Sequence, residues 1–348
     1  MKIFLSTILF ISSLTIANAQ VVSFPDPAFK GCVNSTPLID LNKDGQIQVS
    51  EAELFTGKID CSSQNIKSIA GIETFKNLSS LILRDNMISE VDFSNNVNLE
   101  HLVISNNKVT KLDVSKNLAL TLLFVENNKL DTLDVTKNKA LTSLWIGYNN
   151  IENIDLSQNL NLDSFYAYGN LFKTIDLSKN INLSYLYLNK CSLESLDLSN
   201  NKKLYLAIVG NNKLTSLNIK NSNNTLIKSN GFDSSSNPEL KCIEVDDVNY
   251  SNSTWLNKNP ESRYSTDCKL ATSESKLSEI SVFPNPATNV LNFSKLSNVE
   301  LYNVTGQKLL NQTNIKTLDV SNLNKGVYFV VIKDNDGITI QKTKVIKE

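Results

Sequence analysis

A period of 21 residues runs through the middle of this chain, from Leu78 to about Thr225. Seven units share the pattern L-x-x-L-x-L-x-x-N-x-L-x-x-L-D-L-S-x-N-x-x, and they begin at Leu78, Leu99, Leu120, Leu141, Leu162, Leu183 and Leu204. Self-similarity at a fixed period of this length indicates a solenoid, in which each unit packs against its neighbours in sequence. The pattern therefore predicts a stack of similar coils.

The first half of each unit predicts a short strand. Apolar residues occupy positions 4 and 6, as in Leu144 and Ile146, and this alternation places both side chains inward. Position 9 is asparagine in six units, and an amide can satisfy the backbone of a tight bend in its own coil and in the next. The sequence thus predicts an asparagine ladder formed by Asn86, Asn107, Asn128, Asn149, Asn170 and Asn212.

The units resemble the leucine-rich-repeat family, specifically the short bacterial kind in which the second half, as in Leu193 to Asn201, echoes the first. The resemblance covers about half of the chain. It implies a mainly β solenoid with a cap at each end. We predict an N-terminal cap over residues 20–55, the solenoid over residues 56–245, and a C-terminal cap over residues 246–268 with Trp255 as its apolar anchor.

The first 19 residues have the three parts of a secretory signal peptide. Lys2 precedes an apolar run from Ile3 to Ile16, and Ala17-Asn18-Ala19 provides a cleavage site. No later stretch approaches the roughly 18 apolar residues needed to span a bilayer. We therefore expect an exported chain without a transmembrane segment in its mature form, and export permits disulfides.

A calcium-loop template lies inside the predicted N-terminal cap. Residues 40–51 fit D-x-[DN]-x-[DN]-G-x5-E and resemble the single EF-hand-like loops of secreted bacterial modules. The resemblance implies a calcium ion bound by oxygen atoms of Asp40, Asn42, Asp44, Gln46 and Glu51. The alternative is a turn that hydrogen bonds alone hold in place, followed by a helix that starts near Ser50.

The five cysteines fall into three groups. Cys242 and Cys268 flank the segment after the last repeat, where a disulfide would contribute about 3 kcal/mol, and we expect them to pair. Cys32 and Cys61 either pair across the N-terminal cap or leave Cys61 as a buried thiol at an inward strand position. Cys191 replaces the ladder asparagine of its unit and is predicted to be a buried free thiol.

Position 5 is apolar or aromatic in every unit, although it should face solvent because positions 4 and 6 point inward. With strands about 4.8 Å apart, the four aromatic residues at this position would form a strip about 15 Å long. Together with nearby tyrosines they define the concave aromatic face: Phe124, Trp145, Tyr148, Tyr166, Tyr168, Tyr185, Tyr187 and Tyr205. A contiguous exposed patch of this kind usually marks a binding site. The alternative is that cross-strand aromatic pairs only stabilise the sheet.

Charge and composition favour a binding protein. The net charge of −1 and the pI of 6.0 give no reason to expect a nucleic-acid partner. The single histidine, His101, has no partnered nucleophile, and acids that recur at position 15, such as Asp155, are predicted to cap turns. We predict a non-enzymatic protein that binds a protein partner, with a polysaccharide ligand as the alternative and a glycan-active enzyme as the least favoured class.

Residues 279–348 form a separate region after a polar linker over residues 269–278. Short alternating runs, such as 290–293 and 299–303, lie between turns and predict a small β-sandwich. The motifs VFPNPA at 282–287, LYNVTGQ at 301–307 and LNKGVY at 323–328 resemble the type A sorting domain of the type IX secretion system. The resemblance implies export by that machinery in a Bacteroidetes-type bacterium, to the outer cell surface or the medium.

Overall fold

The computed structural model describes residues 20–268, 280–333 and 339–348. The chain divides into two compact units, Met1–Cys268 and Lys269–Glu348. The predicted signal peptide and the predicted linker lie outside the described residues.

The first unit has short helices near its two ends and very short strands between them. The helices are α1 (Pro27–Ser35), α2 (Val49–Leu54) and α3 (Val248–Thr254). The strands in chain order are β1 (Lys58–Asp60), β2 (Ser80–Ile82), β3 (His101–Val103), β4 (Leu122–Phe124), β5 (Ser143–Trp145), β6 (Ser164–Tyr166), β7 (Tyr185–Tyr187), β8 (Ser195–Asp197), β9 (Leu206–Ile208), β10 (Ser216–Asn218), β11 (Phe232–Asp233), β12 (Cys242–Glu244) and β13 (Arg263–Ser265).

The strands join two parallel sheets. The larger sheet has nine strands in the order β1-β2-β3-β4-β5-β6-β7-β9-β11, and the smaller has four in the order β13-β12-β10-β8. In the larger sheet Ser80 pairs with His101 and His101 pairs with Leu122, each time 21 positions later. The sequence period is therefore the pairing register, which confirms the predicted solenoid. The smaller sheet forms where the second halves of the last units also become extended.

The interior of the solenoid is a continuous apolar column. The side chains predicted to point inward are fully buried, as Leu144 and Ile146 illustrate, and they belong to one core cluster that runs from the N-terminal cap to Tyr264. Each coil therefore buries its apolar residues only by stacking on its neighbours, as a repeat architecture requires.

The predicted asparagine ladder is confirmed. Asn149 donates from Nδ2 to the carbonyl oxygens of Val125 and Ile146, both at 3.0 Å, and its Oδ1 accepts from the backbone N–H of Leu130 at 3.0 Å. One side chain thus closes the bend of its own coil and satisfies two backbone groups of the preceding coil. The other five predicted members do the same, and Asn237 extends the ladder.

A second asparagine ladder, which our sequence analysis did not predict, runs along position 19. Asn159 is fully buried and donates from Nδ2 to the carbonyl oxygens of Val135 at 3.0 Å and Asn138 at 2.9 Å. Both acceptors belong to the preceding coil. The equivalent residues bind in the same way, namely Asn96, Asn117, Asn138, Asn180 and Asn201. Most regular coils are therefore tied to the preceding coil through two columns of amides, with Cys191 and Ser222 as the exceptions.

The cysteines form two disulfides and one free thiol. Cys242 pairs with Cys268 as predicted, and Cys32 pairs with Cys61, which decides between the two alternatives for the N-terminal cap. Cys191 is a free thiol that is largely but not fully buried, and its Sγ donates to the carbonyl oxygen of Ala167 at 3.4 Å. It therefore partly replaces the amide of the missing ladder asparagine.

The C-terminal cap is organised around Trp255, as the sequence predicts. Its side chain is fully buried and stacks on Phe232 with the ring centroids 4.5 Å apart. Its Nε1 donates to the carbonyl oxygen of Ile227 at 2.9 Å. A large apolar side chain with a satisfied polar atom thus covers the end of the core.

The second unit is a small antiparallel β domain. Its strands are β14 (Val282–Phe283), β15 (Val290–Asn303), β16 (Lys308–Asp319), β17 (Gly326–Lys333) and β18 (Thr339–Lys347). Among the described residues of this unit, these strands join one sheet with β15 at its centre, between β16 and β17. The runs at 290–293 and 299–303, predicted as two strands, belong to the single strand β15. Its pairing with β16 shifts register between Asn292 and Val299, and such a bulge interrupts the alternation seen in the sequence.

Candidate functional site

The four aromatic residues at position 5 form one column across the adjacent strands β4 to β7. The ring centroids of Phe124 and Trp145 are 3.9 Å apart, and those of Trp145 and Tyr166 are 4.6 Å apart, with interplanar angles of 12° and 18°. Tyr187 packs edge-to-face on Tyr166 at 4.5 Å. All four are half-buried. Because Phe124, Trp145 and Tyr166 cover one another's faces, the column presents mainly ring edges to solvent.

A second aromatic contact lies at the carboxyl ends of β5 and β6. Tyr148 and Tyr168 pack edge-to-face, with ring centroids 5.0 Å apart and an interplanar angle of 89°. Each ring lies over a glycine of the other coil: a Cβ atom would come within 2.8 Å of the Tyr168 ring at Gly147, and within 2.5 Å of the Tyr148 ring at Gly169. These two glycines are therefore required for the arrangement, although our sequence analysis did not single them out.

Tyr148 has a backbone conformation that disfavours its side chain. Position 8 is left-handed in all seven regular coils, and the other coils place there Asp85, Asn106, Asn127, Gly169, Lys190 and Asn211. Tyr148 adopts φ 51°, where a bulky residue costs on the order of 1 kcal/mol relative to glycine or asparagine. Strain of this kind is typical of functional positions. Here the contact with Tyr168 offsets part of it.

Glu126 links the tyrosine pair to the coil of Phe124. Its Oε1 accepts a hydrogen bond from the Tyr168 hydroxyl at 2.6 Å, across two coils. Burial raises the pKa of the Glu126 carboxyl, and burial together with this hydrogen bond raises the pKa of the Tyr168 hydroxyl. Between residues 20 and 268, no lysine, arginine or histidine forms an ion pair with Glu126. The carboxylate is thus half-buried without a matching cation.

The last two predicted residues flank the column on its C-terminal side. The ring centroids of Tyr185 and Tyr205 are 5.9 Å apart, and the two residues are 36% and 50% exposed. Tyr148 is 44% exposed. The structure therefore places the eight predicted residues in one column and two pairs. Within the pairs Tyr148, Tyr185 and Tyr205 are exposed, whereas Tyr168 is half-buried like the column.

The predicted calcium loop is closed by its own hydrogen bonds. Asp40 accepts from the backbone N–H groups of Asp44 and Gly45, at 3.2 and 2.9 Å. Glu51 accepts from three further backbone N–H groups with its two carboxylate oxygens, so bidentate binding of an ion requires these bonds to rearrange. Helix α2 follows directly. In the part of the chain that the structure describes, no three His, Cys, Asp or Glu side chains form a group suited to a metal ion. The alternative of a hydrogen-bonded turn describes this geometry, and calcium binding stays a prediction.

Calorimetric titration of calcium into the exported chain tests the loop. Loops of extracellular modules bind calcium with dissociation constants of about 0.1 to 1 mM, and we expect heat in that range. Asp40→Asn should abolish it, because the oxygen donors then lose a charge. Asp155→Asn, a matched change in a turn of the solenoid, should leave it unchanged. A titration without heat at millimolar calcium would contradict the prediction.

Residues 281–348 match the family model described as "Secretion system C-terminal sorting domain". The chain is also similar to beta-agarase D of Zobellia galactanivorans, with 40% identity over 73 residues. That similarity covers 20% of this chain and only 15% of the agarase.

Several solved structures are similar in backbone course. The functional domain of InlJ from Listeria monocytogenes is 18% identical, with coverage of 87% of this chain and 93% of that chain and a TM-score of 0.34. Internalin C2 from Listeria monocytogenes is 19% identical, and the match covers 54% of this chain and 94% of that chain with a TM-score of 0.43. A leucine-rich-repeat protein of Leptospira interrogans is 17% identical, and the match covers 51% of this chain and 58% of that chain with a TM-score of 0.37.

The sorting domain indicates export by type IX secretion to the cell surface or the medium, as predicted. Among the described residues, no helix is long and apolar enough to cross a membrane.

Proposed function

We propose that this secreted leucine-rich-repeat protein binds a protein partner through its concave aromatic face. The observation that carries the proposal is the unbroken column of four rings on β4 to β7, flanked by three exposed tyrosines, Tyr148, Tyr185 and Tyr205. Tyrosine and tryptophan are enriched at the centres of protein interfaces, because they bury a large rigid area and keep a polar atom available.

The geometry of the column favours a protein over a polysaccharide. A sugar ring stacks on the face of an aromatic ring, but the faces of Phe124, Trp145 and Tyr166 largely cover one another. A protein surface packs equally well against ring edges and hydroxyl groups. Polysaccharide binding remains the alternative, since Tyr148 and Tyr205 are each about half exposed.

We further propose that the chain is not an enzyme. The acids that recur at position 15 are engaged in turns: Asp155 accepts from the backbone N–H of Ser157 at 2.8 Å, as predicted. The equivalent residues in the other coils accept in the same way. These carboxylates therefore have a structural role that accounts for their repetition.

Binding of the full exported chain to a panel of surface proteins and to a glycan array tests the function. We expect a protein ligand whose affinity falls at least roughly tenfold in Trp145→Ala and again in Tyr187→Ala, as for residues at the centre of an interface. The loss should persist at high salt. Leu160→Ala is the matched control, because Leu160 is 52% exposed at position 20 and lies outside the concave aromatic face.

Three results would contradict the proposal. Undiminished binding in both aromatic variants, with folding verified by thermal unfolding, would mean that the column serves only sheet packing. Binding to glycans alone would establish the polysaccharide alternative. Turnover of a glycan would place the protein among enzymes.

A further inference from the structure

We infer that the Glu126 carboxylate receives a basic side chain, lysine or arginine, of the protein partner. This inference rests on the proposed function and adds the chemistry of one contact. The site consists of Glu126 together with Tyr148 and Tyr168, at the carboxyl ends of β4, β5 and β6.

The first observation is the unbalanced charge. Glu126 is half-buried, and its hydrogen bond comes from an uncharged hydroxyl, that of Tyr168, at 2.6 Å. Within the described solenoid no cationic side chain pairs with it. A carboxylate withdrawn from water loses hydration free energy, and an ion pair with a bound cation offsets part of that loss. The free protein already carries the desolvation cost of this carboxylate. A partner that supplies the cation therefore adds the attraction of an ion pair with little further desolvation of Glu126.

The second observation is the aromatic wall beside the carboxylate. Tyr168 contacts Glu126 through its hydroxyl, and Tyr148 packs edge-to-face on Tyr168 while 44% exposed. An ammonium or guanidinium group is attracted both to a carboxylate and to the face of a tyrosine ring. The combination of one acid and two tyrosines thus matches a basic side chain better than it matches an acidic or apolar one.

The third observation is preorganisation. Gly147 and Gly169 let each tyrosine ring lie against the backbone of the neighbouring coil, where any larger residue would collide. Tyr148 retains its position despite a left-handed backbone that asparagine or glycine would adopt at lower cost. Side chains held in place before binding lose little conformational entropy on binding.

The charges around the site are consistent with a basic ligand. Burial raises the pKa of Tyr166, and Tyr187, Tyr185 and the carboxylates of Asp163 and Glu126 raise it further, so a second carboxylate lies within electrostatic range of the column. Arg84, at the equivalent position of an earlier coil, is already paired with Asp85 at 3.4 Å. Electrostatic complementarity of this kind contributes mainly to specificity and to the rate of association.

The test uses acetyl-arginine amide as a probe, with acetyl-citrulline amide as its uncharged counterpart, added to the full chain at concentrations up to roughly 50 mM. Shifts of the backbone amide signals of Gly147 and Gly169 are followed by nuclear magnetic resonance. We expect saturable shifts with the arginine probe and at least tenfold weaker binding of the citrulline probe. Glu126→Gln should weaken the arginine probe at least fivefold, while its side-chain oxygen can still accept from Tyr168.

Asp155→Asn is the matched control for the loss of one negative charge, and it should bind as the unmodified chain does. Equal binding of the two probes, no shift with either, or unchanged binding in Glu126→Gln would overturn the inference. A partner found in the protein panel separates the two proposals. If Trp145→Ala abolishes its binding and Glu126→Gln does not, the proposed function stands and this contact is excluded.

Discussion

Replacement of Asn149 by alanine lowers the free energy of unfolding of the solenoid by about 2 kcal/mol, because a buried backbone N–H loses its acceptor and such a loss costs about 1 to 3 kcal/mol. That group is the N–H of Leu130, whereas the carbonyl oxygens of Val125 and Ile146 each keep a second amide donor, from Asn128 and Asn170. Water cannot replace the amide, since Asn149 is buried in the middle of the solenoid. Urea unfolding of the variant and the unmodified chain measures the difference.

The adjacent residue provides a matched control. Asn150 is exposed, and its Nδ2 donates to Asp131 at 3.3 Å on the surface. Asn150→Ala therefore removes the same amide group one position later. A surface substitution of this kind usually changes the free energy of unfolding by less than about 0.5 kcal/mol. Equal unfolding midpoints for the two variants would show that the ladder does not hold the coils together.

The sequence was sufficient to predict the solenoid because its period is also its hydrogen-bonding register. A shift of one unit pairs Leu81 with Leu102 and Leu102 with Leu123, so the inward side chains and the strand neighbours follow from the repeat alone. The second ladder was missed for a physical reason. Asn159 follows Asp155 and Ser157 in a segment of turn composition, whereas its complete burial and its hydrogen bonds to the preceding coil depend on how the coils stack.

The candidate site was predicted less completely. Alternation along a strand identified the column of Phe124, Trp145 and Tyr166, because all three lie within the strands. It does not extend to positions 7 and 8, where the strand ends and the backbone turns left-handed. The contacts of Tyr148 with Gly169, and of Tyr168 with Glu126, join residues of different coils and depend on side-chain rotamers. Spacing in the sequence does not determine these rotamers.

For the sorting domain, the sequence motifs predicted the family but not the lengths of the strands. Its motifs were sufficient to assign it, and the family match covers the same region. The length of β15 was not apparent, because its bulge breaks the alternation between Asn292 and Val299. A central strand of 14 residues, paired on both sides, therefore looked like two short ones.

Deletion of residues 279–348 is expected to retain the protein in the periplasm and to reduce the extracellular fraction from most of the protein to almost none. The reason is that the sorting domain carries the signal for the secretion machinery. The deletion should not unfold the solenoid, because both disulfides and Trp255 belong to the first compact unit. Immunoblots of periplasm, outer membrane and medium measure the distribution.

The control for this deletion is the folded state of the retained protein. A protease-resistant solenoid in the periplasm, with the buried Trp255 still protected, would show that loss of secretion follows from loss of the signal and not from misfolding. Point variants such as Trp145→Ala keep the sorting domain intact, so they should reach the medium at the unmodified level. Secretion that continues undiminished without residues 279–348 would show that the export signal lies elsewhere in the chain.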